Sequence, residues 1–324
     1  MRRVILIYNP FSGKRRFKYA LDDFVDVMQS ARYKTHLVRA TDDYALESAM
    51  ESLDDSYSAV VVAGGDGTVN FTINALKRHK KNIPLGILPV GTANGFSTCI
   101  KMPTSPRAAA EAIVHGRVIA ADLGLANGRY FINSSGGGLF TSVSHELTLN
   151  TKTKRIFGKA AYIMKGMAQL LNIKPLPLRI TTQEQVIEEV FSVFIALNST
   201  NSGSFNRMAP NALIDDGLLE FVAFRAISIK DLAAVYPKIL RGAHLNDQRV
   251  LHLRESSLKI EYIGDTPGAT DVDGERGPGF PLNITCEKGA QSLIVPPLYD
   301  RYPRELLADS LDKYVASSID TTLK

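Results

Sequence analysis

At 324 residues, with 45% apolar and 22% charged residues and 24 glycines, the chain holds about two domains' worth of ordinary globular sequence. That composition excludes a disordered tail, a fibre and a disulfide scaffold. The two cysteines, Cys99 and Cys286, lie far apart with no metal-ligand spacing, which suits a reducing cytoplasm. The net charge of +5 is modest, and no run reaches the roughly 18–20 uninterrupted apolar residues that a spanning helix needs.

Met1-Arg2-Arg3 followed by Val4–Tyr8 resembles the start of a signal peptide, but the apolar stretch of five residues runs straight into Asn9-Pro10. It is better read as a first strand. Val4–Tyr8, Tyr57–Ala63 and Pro84–Leu88 are predicted buried strands, each followed by a turn, and Phe17–Ala31, Asp42–Leu53 and Val69–Lys80 carry helical periodicity. Strand–helix alternation implies a parallel sheet with ligands at the carboxyl ends of its strands. After about residue 126 the pattern changes. Arg129–Asn133, Leu178–Thr182, Val190–Leu197, Leu218–Arg225, Val250–Leu253, Ser257–Ile263, Leu282–Glu287 and Gln291–Val295 read as strands of a mostly antiparallel sheet. Tyr299–Val315 returns to helix and, being too short for a domain, is expected to pack on the first one. The fold class is therefore α/β plus β: residues 1–125 with the tail 297–324 form one domain, and 126–296 the other.

The strongest local signal is Gly64-Gly65-Asp66-Gly67-Thr68-Val69-Asn70, directly after a predicted strand. Its glycines let the backbone turn sharply and bring N–H groups against an anion, and a helix starting near Thr68 adds a partial positive charge. Asp66 would repel a bare phosphate, so the loop points to a magnesium nucleotide, in which a cation bridges the two. Asn9-Pro10-Phe11-Ser12-Gly13-Lys14 and Pro89-Val90-Gly91-Thr92-Ala93-Asn94 follow two other strands and are expected at the same sheet edge. Alone each is common turn chemistry. Neither a Walker lysine loop nor a G-x-G-x-x-G fingerprint is present, which lowers the odds of a P-loop ATPase and an NAD dehydrogenase.

Two acidic clusters follow: Leu213-Ile214-Asp215-Asp216-Gly217-Leu218, and Asp271-Val272-Asp273-Gly274-Glu275. Asp-Gly between strands is hairpin chemistry in its own right. Phosphate transfer to an alcohol, however, also needs a carboxylate that accepts the hydroxyl's proton, and the first half offers no evident base.

Taken in order, these motifs, together with the closing Leu293-Ile294-Val295-Pro296, resemble the diacylglycerol kinase catalytic family in its soluble bacterial lipid-kinase branch, over essentially the whole chain. The resemblance implies a Rossmann-like nucleotide domain of the NAD-kinase/diacylglycerol-kinase type, a β-sandwich second domain, and ATP in the cleft between them. It implies ATP contacts from Asn9, Pro10, Phe11, Ser12, Gly13, Thr41, Gly64, Gly65, Asp66, Gly67, Thr68, Val69, Asn70 and Thr92. Glu275 would be the proton acceptor with Asp273 beside it. Mg2+ would bind near Asp66 with ATP, and a structural Mg2+ on the Asp216 carboxylate and the Leu213 and Leu218 carbonyls. Two positions depart from the family pattern: Gly95 and Phe71 stand where the family usually has acids. They raise the alternative of a lipid- or nucleotide-binding homologue with impaired catalysis. A soluble-metabolite kinase akin to NAD kinase shares the glycine-rich loop, but the late Asp-Gly-Glu weighs against it.

From Leu147 to Gln183 no residue is acidic and seven are basic: Lys152, Lys154, Arg155, Lys159, Lys165, Lys174 and Arg179. Ile156, Phe157, Ala160, Ile163, Met164, Met167, Leu170 and Leu171 fall on one helical stripe within this stretch, which fits either peripheral contact with an anionic membrane or a stripe packed in the core. The resemblance implies a lipid acceptor with a primary hydroxyl, a cytoplasmic location with transient contact at the inner membrane face, and a homodimer, which family members often form. The scattered histidines, the lack of a Gly-x-Ser-x-Gly elbow and the weak net charge argue against a zinc site, a serine hydrolase and nucleic-acid binding.

Overall fold

The computed structural model describes residues 2–15, 17, 20–138, 175–201, 207–226 and 229–299. The chain opens with β1 (Arg2–Tyr8), α1 (Leu21–Ser30), β2 (Tyr33–Arg39), α2 (Asp43–Glu51), β3 (Tyr57–Gly64), α3 (Asp66–Arg78) and β4 (Leu85–Pro89). The four strands are parallel, in the spatial order β2-β1-β3-β4. Val4–Ile7 and Val60–Ala63 are buried throughout, as a parallel sheet covered on both faces requires, and α1 packs with α5 (Pro106–His115) while α2 packs with α3. From β1 the chain goes outward to β2, then returns past β1 to β3 and on to β4. The direction reverses between β1 and β3, where open α/β sheets bind ligands beyond the strands' carboxyl ends.

Two local differences from the sequence reading have simple causes. A 3-10 turn at Ser12–Arg15 precedes α1, so the helix begins at Leu21 rather than near Phe17. Extended Gly65 caps α3, so that helix starts at Asp66 and carries the acid in its own first turn. The sheet's edge strand β2 was not predicted: Tyr-Lys-Thr-His-Leu-Val-Arg alternates with solvent and offers no apolar run.

Beyond β4 come α4 (Gly95–Cys99), α5, β5 (Arg117–Ala126), β6 (Arg129–Phe131), β7 (Ser134–Gly138), β8 (Leu176–Thr181), β9 (Val186–Leu197), β10 (Leu219–Arg225), α6 (Ile229–Arg241), β11 (Val250–Glu255), β12 (Ser257–Tyr262), β13 (Thr270–Val272), β14 (Glu275–Arg276) and β15 (Leu282–Val295). The pairings are antiparallel apart from β15 on β4. The Phe191–Leu197 part of β9, and β10, are buried on both faces. Phe194, Ala196, Phe221 and Ala223 enter one core with Leu178, Ile180, Leu258 and Ile284. Val193, Ile195, Val222 and Phe224 face the other way, under Val235 and Ile239 of α6.

The two predicted strands Leu282–Glu287 and Gln291–Val295 are one 14-residue strand, β15. Its pairing with β5 slips between Glu287 and Gln291, where Gly289 takes a φ of +62°, a bulge that reads in sequence as a break. The end of β15 places Leu293 beside Leu85 of β4, which joins both halves into one sheet, of 15 strands among the described residues. Leu293, Ile294 and Val295 belong to the core of the parallel half, as do Ala121, Leu123, Ile132 and Ile214.

The predicted helix Tyr299–Val315 lies, but for its first residue, outside the described residues, as does residues 147–174 of the basic segment. Arg179, counted within that segment, sits on strand β8 and is ion-paired with Glu188.

Candidate active site

The loops after β1, β3 and β4 meet backbone to backbone. Asn9 donates its N–H to Ala63 O at 3.1 Å, and the amides of Val90 and Gly91 both reach Gly64 O, at 3.2 and 3.1 Å. A Cβ on Gly13 would lie 1.6 Å from Val90 O, and one on Gly91 would lie 2.3 Å from Gly65 Cα, so these approaches are open to glycine alone. Asn9 Oδ1 accepts the Phe11 N–H at 2.9 Å and Ser12 N donates to Asn9 O, closing the first loop. Ala40 N donates to Tyr8 O, which brings exposed Thr41 to the same edge, and exposed Thr92 sits in the third loop. A Cβ on Gly67, in the first turn of α3, would meet nothing within 4 Å. The result is an open cradle at a helix N-terminus, a shape suited to phosphate.

Asp66 is anchored within it: its two carboxylate oxygens accept the N–H groups of Gly95 (2.8 Å) and Phe96 (3.0 Å), at the start of α4. Each oxygen keeps capacity for a further partner, which makes Asp66 the carboxylate suited to a divalent cation on a bound triphosphate. A Cβ at Gly95 would come to 3.5 Å from Asp66 Oδ2, so an acid at that position would stand beside Asp66; here the neighbours are amides. Asn201 donates to Gly95 O at 2.8 Å, and Ser199 to Asn133 Oδ1 at 2.9 Å, in a buried polar seam that includes Asn198. Phe71 is partly exposed on α3.

The acidic bend of the second half faces this cradle. Asp273 and Gly274, at φ +49° and +86°, form the two-residue turn of the β13–β14 hairpin. The turn is thus ordinary hairpin chemistry, and its aspartate is nonetheless directed inward. The Asp273 carboxylate accepts the N–H groups of Ile132 (2.8 Å), Asn133 (2.9 Å) and Ser134 (2.9 Å), and the side-chain amide of Asn70 at 2.7 Å. Asn70 lies 203 positions away, on α3. Burial pushes the Asp273 carboxyl up to about 6, against its three backbone donors, with the Asp66 charge adding to the rise. Burial likewise lifts Asp271 to about 7, and its Oδ2 has no hydrogen-bond partner among the described residues. Glu275 is exposed and ion-paired with Arg129.

One flank of α3 grips the second half at residues spaced three and four apart. Asn70 and Asn74 donate to Tyr130 O at 2.9 and 3.1 Å, Asn74 Oδ1 accepts the Tyr130 N–H at 3.1 Å, and Lys77 donates to Ala290 O. The Tyr130 hydroxyl donates to Glu287 at 2.7 Å, and burial with that carboxylate pushes the phenol up to about 12.

The Asp215-Asp216 turn looks elsewhere. Asp216 accepts the Leu218 N–H at 3.0 Å and pairs with the Arg254 guanidinium at 2.7 Å. Beside it, buried Asp122 accepts the N–H groups of Gly217 (2.6 Å) and Gly289 (2.7 Å), and burial raises its pKa. Arg254 also pairs with buried Glu220 at 2.9 Å, so one guanidinium is shared by two carboxylates beside Asp122 and Asp215.

The three predicted loops, Asn70 and Asp273 thus come together at one edge of the sheet, while the Val69 side chain is buried in the core of the parallel half. The turn that carries Leu213, Asp216 and Leu218 lies elsewhere, held to β5 through Asp122, which donates to Ile214 O and accepts from Gly217 N, and to β11 through Asp216 and Arg254. Sequence reasoning missed Arg129, Asn74 and the Asn133–Ser199–Asn201 seam. The run Asn198-Ser199-Thr200-Asn201, polar at the end of an apolar strand, was the available signal for the seam.

Two family models match the chain: one described as the diacylglycerol kinase catalytic domain, over residues 3–126, and one described as the YegS C-terminal NAD kinase beta sandwich-like domain, over 142–295. The chain is 33% identical over 286 residues to a diacylglycerol kinase of Staphylococcus carnosus, covering 87% of this chain and 92% of that one. It is 30% identical over 290 residues to a diacylglycerol kinase of Bacillus subtilis, covering 88% and 94%. A crystal structure of a putative diacylglycerol kinase from Bacillus anthracis superposes with a TM-score of 0.79 at 26% identity, over 92% of this chain and 97% of the other.

Proposed function

Since the chain belongs to the diacylglycerol kinase catalytic family and is an ATP-dependent lipid kinase, we propose that it phosphorylates the primary hydroxyl of diacylglycerol or a closely similar neutral lipid, with Glu275 as proton acceptor. In this reading residues 1–125 hold ATP and residues 126–296 present the acceptor. The observation that carries it is the 2.7 Å hydrogen bond from Asn70 to Asp273, which sets the acidic bend against the helix whose N-terminus cradles phosphate. The loops at Asn9–Gly13, Gly64–Asn70 and Thr92 supply backbone donors and hydroxyls to the triphosphate, and Thr41 lies at the same edge. Asp273, saturated by four donors, holds the bend in register rather than taking the proton itself. Glu275 accepts the hydroxyl proton as the lipid oxygen bonds to the γ-phosphorus and the bond to the ADP oxygen breaks. Mg2+ bound with ATP beside Asp66 would offset charge on the transferred phosphoryl group.

Peripheral contact with the anionic inner face of a membrane is part of the proposal, supported by the six basic residues from Lys152 to Lys174, with no acid among them. So is a homodimer, which light scattering tests. Binding to anionic vesicles that high salt leaves unchanged would refute the electrostatic contact.

The test is γ-labelled ATP with Mg2+ and, in separate detergent micelles, dioleoylglycerol, sphingosine or phosphatidylglycerol, alongside an aqueous arm with NAD. Labelled phosphatidic acid is the expected product. Label confined to the sphingosine or phosphatidylglycerol arm would reassign the acceptor, and label in NAD alone would overturn the reading.

A further inference from the structure

Arg129 reaches across two hairpin turns. Its own turn, Asn127-Gly128, has φ values of +45° and +87°, closely matching those of Asp273-Gly274. Asn127 pins that turn: its Oδ1 accepts the Asn283 N–H at 2.8 Å and its amide donates to Pro281 O at 2.9 Å. On the other side, Asn74 of α3 holds both backbone groups of Tyr130 at 3.1 Å. Arg129 is therefore launched from backbone fixed before and after it. One guanidinium nitrogen donates to Arg276 O at 2.9 Å, and the other to the Glu275 carboxylate. Arg129 also bears on Asp271, whose carboxyl its charge pulls down against burial.

The Glu275 side chain is 65% exposed and stands on a strand of two residues, so the strand alone leaves it free to sample many rotamers. An exposed ion pair contributes little to folding. Its geometry is informative for another reason: the fork fixes the carboxylate relative to the bend's own backbone, and the bend relative to α3.

We infer that Arg129 is a positioning residue for phosphoryl transfer, orienting Glu275 and coupling that orientation through Tyr130 and Asn74 to the phosphate-cradling helix. This rests on the reading of Glu275 as proton acceptor. The expected loss is that of a general base displaced by an ångström or so, roughly tenfold to a hundredfold in kcat. The KM for ATP should stay within about twofold, because no donor to the cradle is removed.

The experiment compares Arg129→Ala, Arg129→Lys, Glu275→Gln and the Arg129→Ala/Glu275→Gln double variant in the labelled-lipid assay, each checked for an unchanged melting temperature. Lysine should recover only part of the loss, since one ammonium lacks the fork that spans Glu275 and Arg276 O. Added guanidine should restore part of the Arg129→Ala turnover, and the double variant should be no slower than Glu275→Gln alone. Wild-type kcat in Arg129→Ala beside an inactive Glu275→Gln would overturn the inference and spare the proton-acceptor reading. Full turnover in Glu275→Gln would overturn that reading itself. Additive losses, or a raised KM for ATP with kcat unchanged, would show that Arg129 does not act through Glu275. Should Arg129→Ala fail to fold, the lysine variant decides: full activity there would count against the fork.

Discussion

Replacing Gly13 and Gly67 separately with alanine tests whether the three loops form a phosphate cradle. At Gly13 the φ is +52° and a Cβ would lie 1.6 Å from Val90 O, about 2 Å short of ordinary contact. The left-handed conformation costs alanine about 1–2 kcal/mol. Pushing the Val90 loop away strains the two amide bonds to Gly64 O, each contributing about 1 kcal/mol. The expected destabilisation is about 3–4 kcal/mol, on the order of 5–10 °C in Tm for a chain of this size. Turnover should fall roughly a hundredfold, because the loops that would hold the phosphates move by more than an ångström. Gly67 predicts the opposite split. A methyl group there meets nothing and favours the helix, so Tm should hold or rise slightly, while the methyl intrudes on the anion's space. A rise in the KM for ATP of roughly tenfold corresponds to about 1.4 kcal/mol of lost binding. Scanning calorimetry and initial-rate kinetics on both variants read the two effects separately. Wild-type stability in Gly13→Ala, or an unchanged ATP KM in Gly67→Ala, would refute the cradle.

Asp66→Ala should remove nearly all turnover and cost about 1–2 kcal/mol in urea unfolding through its lost caps on α4; substantial activity would remove its cation-holding role. Glu275→Gln should lower kcat by roughly 10²–10⁴-fold with no change in melting, its side chain being 65% exposed. Asp271 sits at about 7 when folded, against an ordinary value of 3.8, so between those pH values the folded state keeps a proton that the unfolded chain has released. Wild-type stability therefore carries a term that falls as pH rises through that window, and Asp271→Asn should gain on wild type by up to a few kcal/mol. Parallel stability–pH curves for the two would contradict this. Chelation with EDTA should abolish turnover, and if Asp216 holds a structural Mg2+ the melting point should drop with the chelator and recover with Mg2+; an unchanged Tm would refute that site and leave Arg254 as the partner of Asp216.

The parallel half was legible because its central strands are short, buried apolar runs and its turns carry glycines that few other arrangements need. That the acidic bend belongs with the glycine-rich loop was expected from chemical need and the family resemblance, since Asp-Gly alone announces only a hairpin; the bond between Asp273 and Asn70 was not. What stayed hidden depends on tertiary partners. Strand β2 is half solvated, and the bulge at Gly289 disguises one strand as two. Arg129 is one arginine among many until the hairpin register brings it to Glu275. Nor does the sequence show that Arg254, 38 positions further on, pairs with Asp216.

Strand β15 has a consequence for how the molecule holds together. Its first half completes the sandwich, while Leu293, Ile294 and Val295 fill the interior of the opposite lobe. Severing the polypeptide near residue 126 would deprive the amino-terminal fragment of those three side chains and strip β4 of a neighbour, leaving a raw, sticky border. Neither fragment would be self-sufficient, and the enzyme should melt as a single cooperative body instead of shedding one lobe at a time.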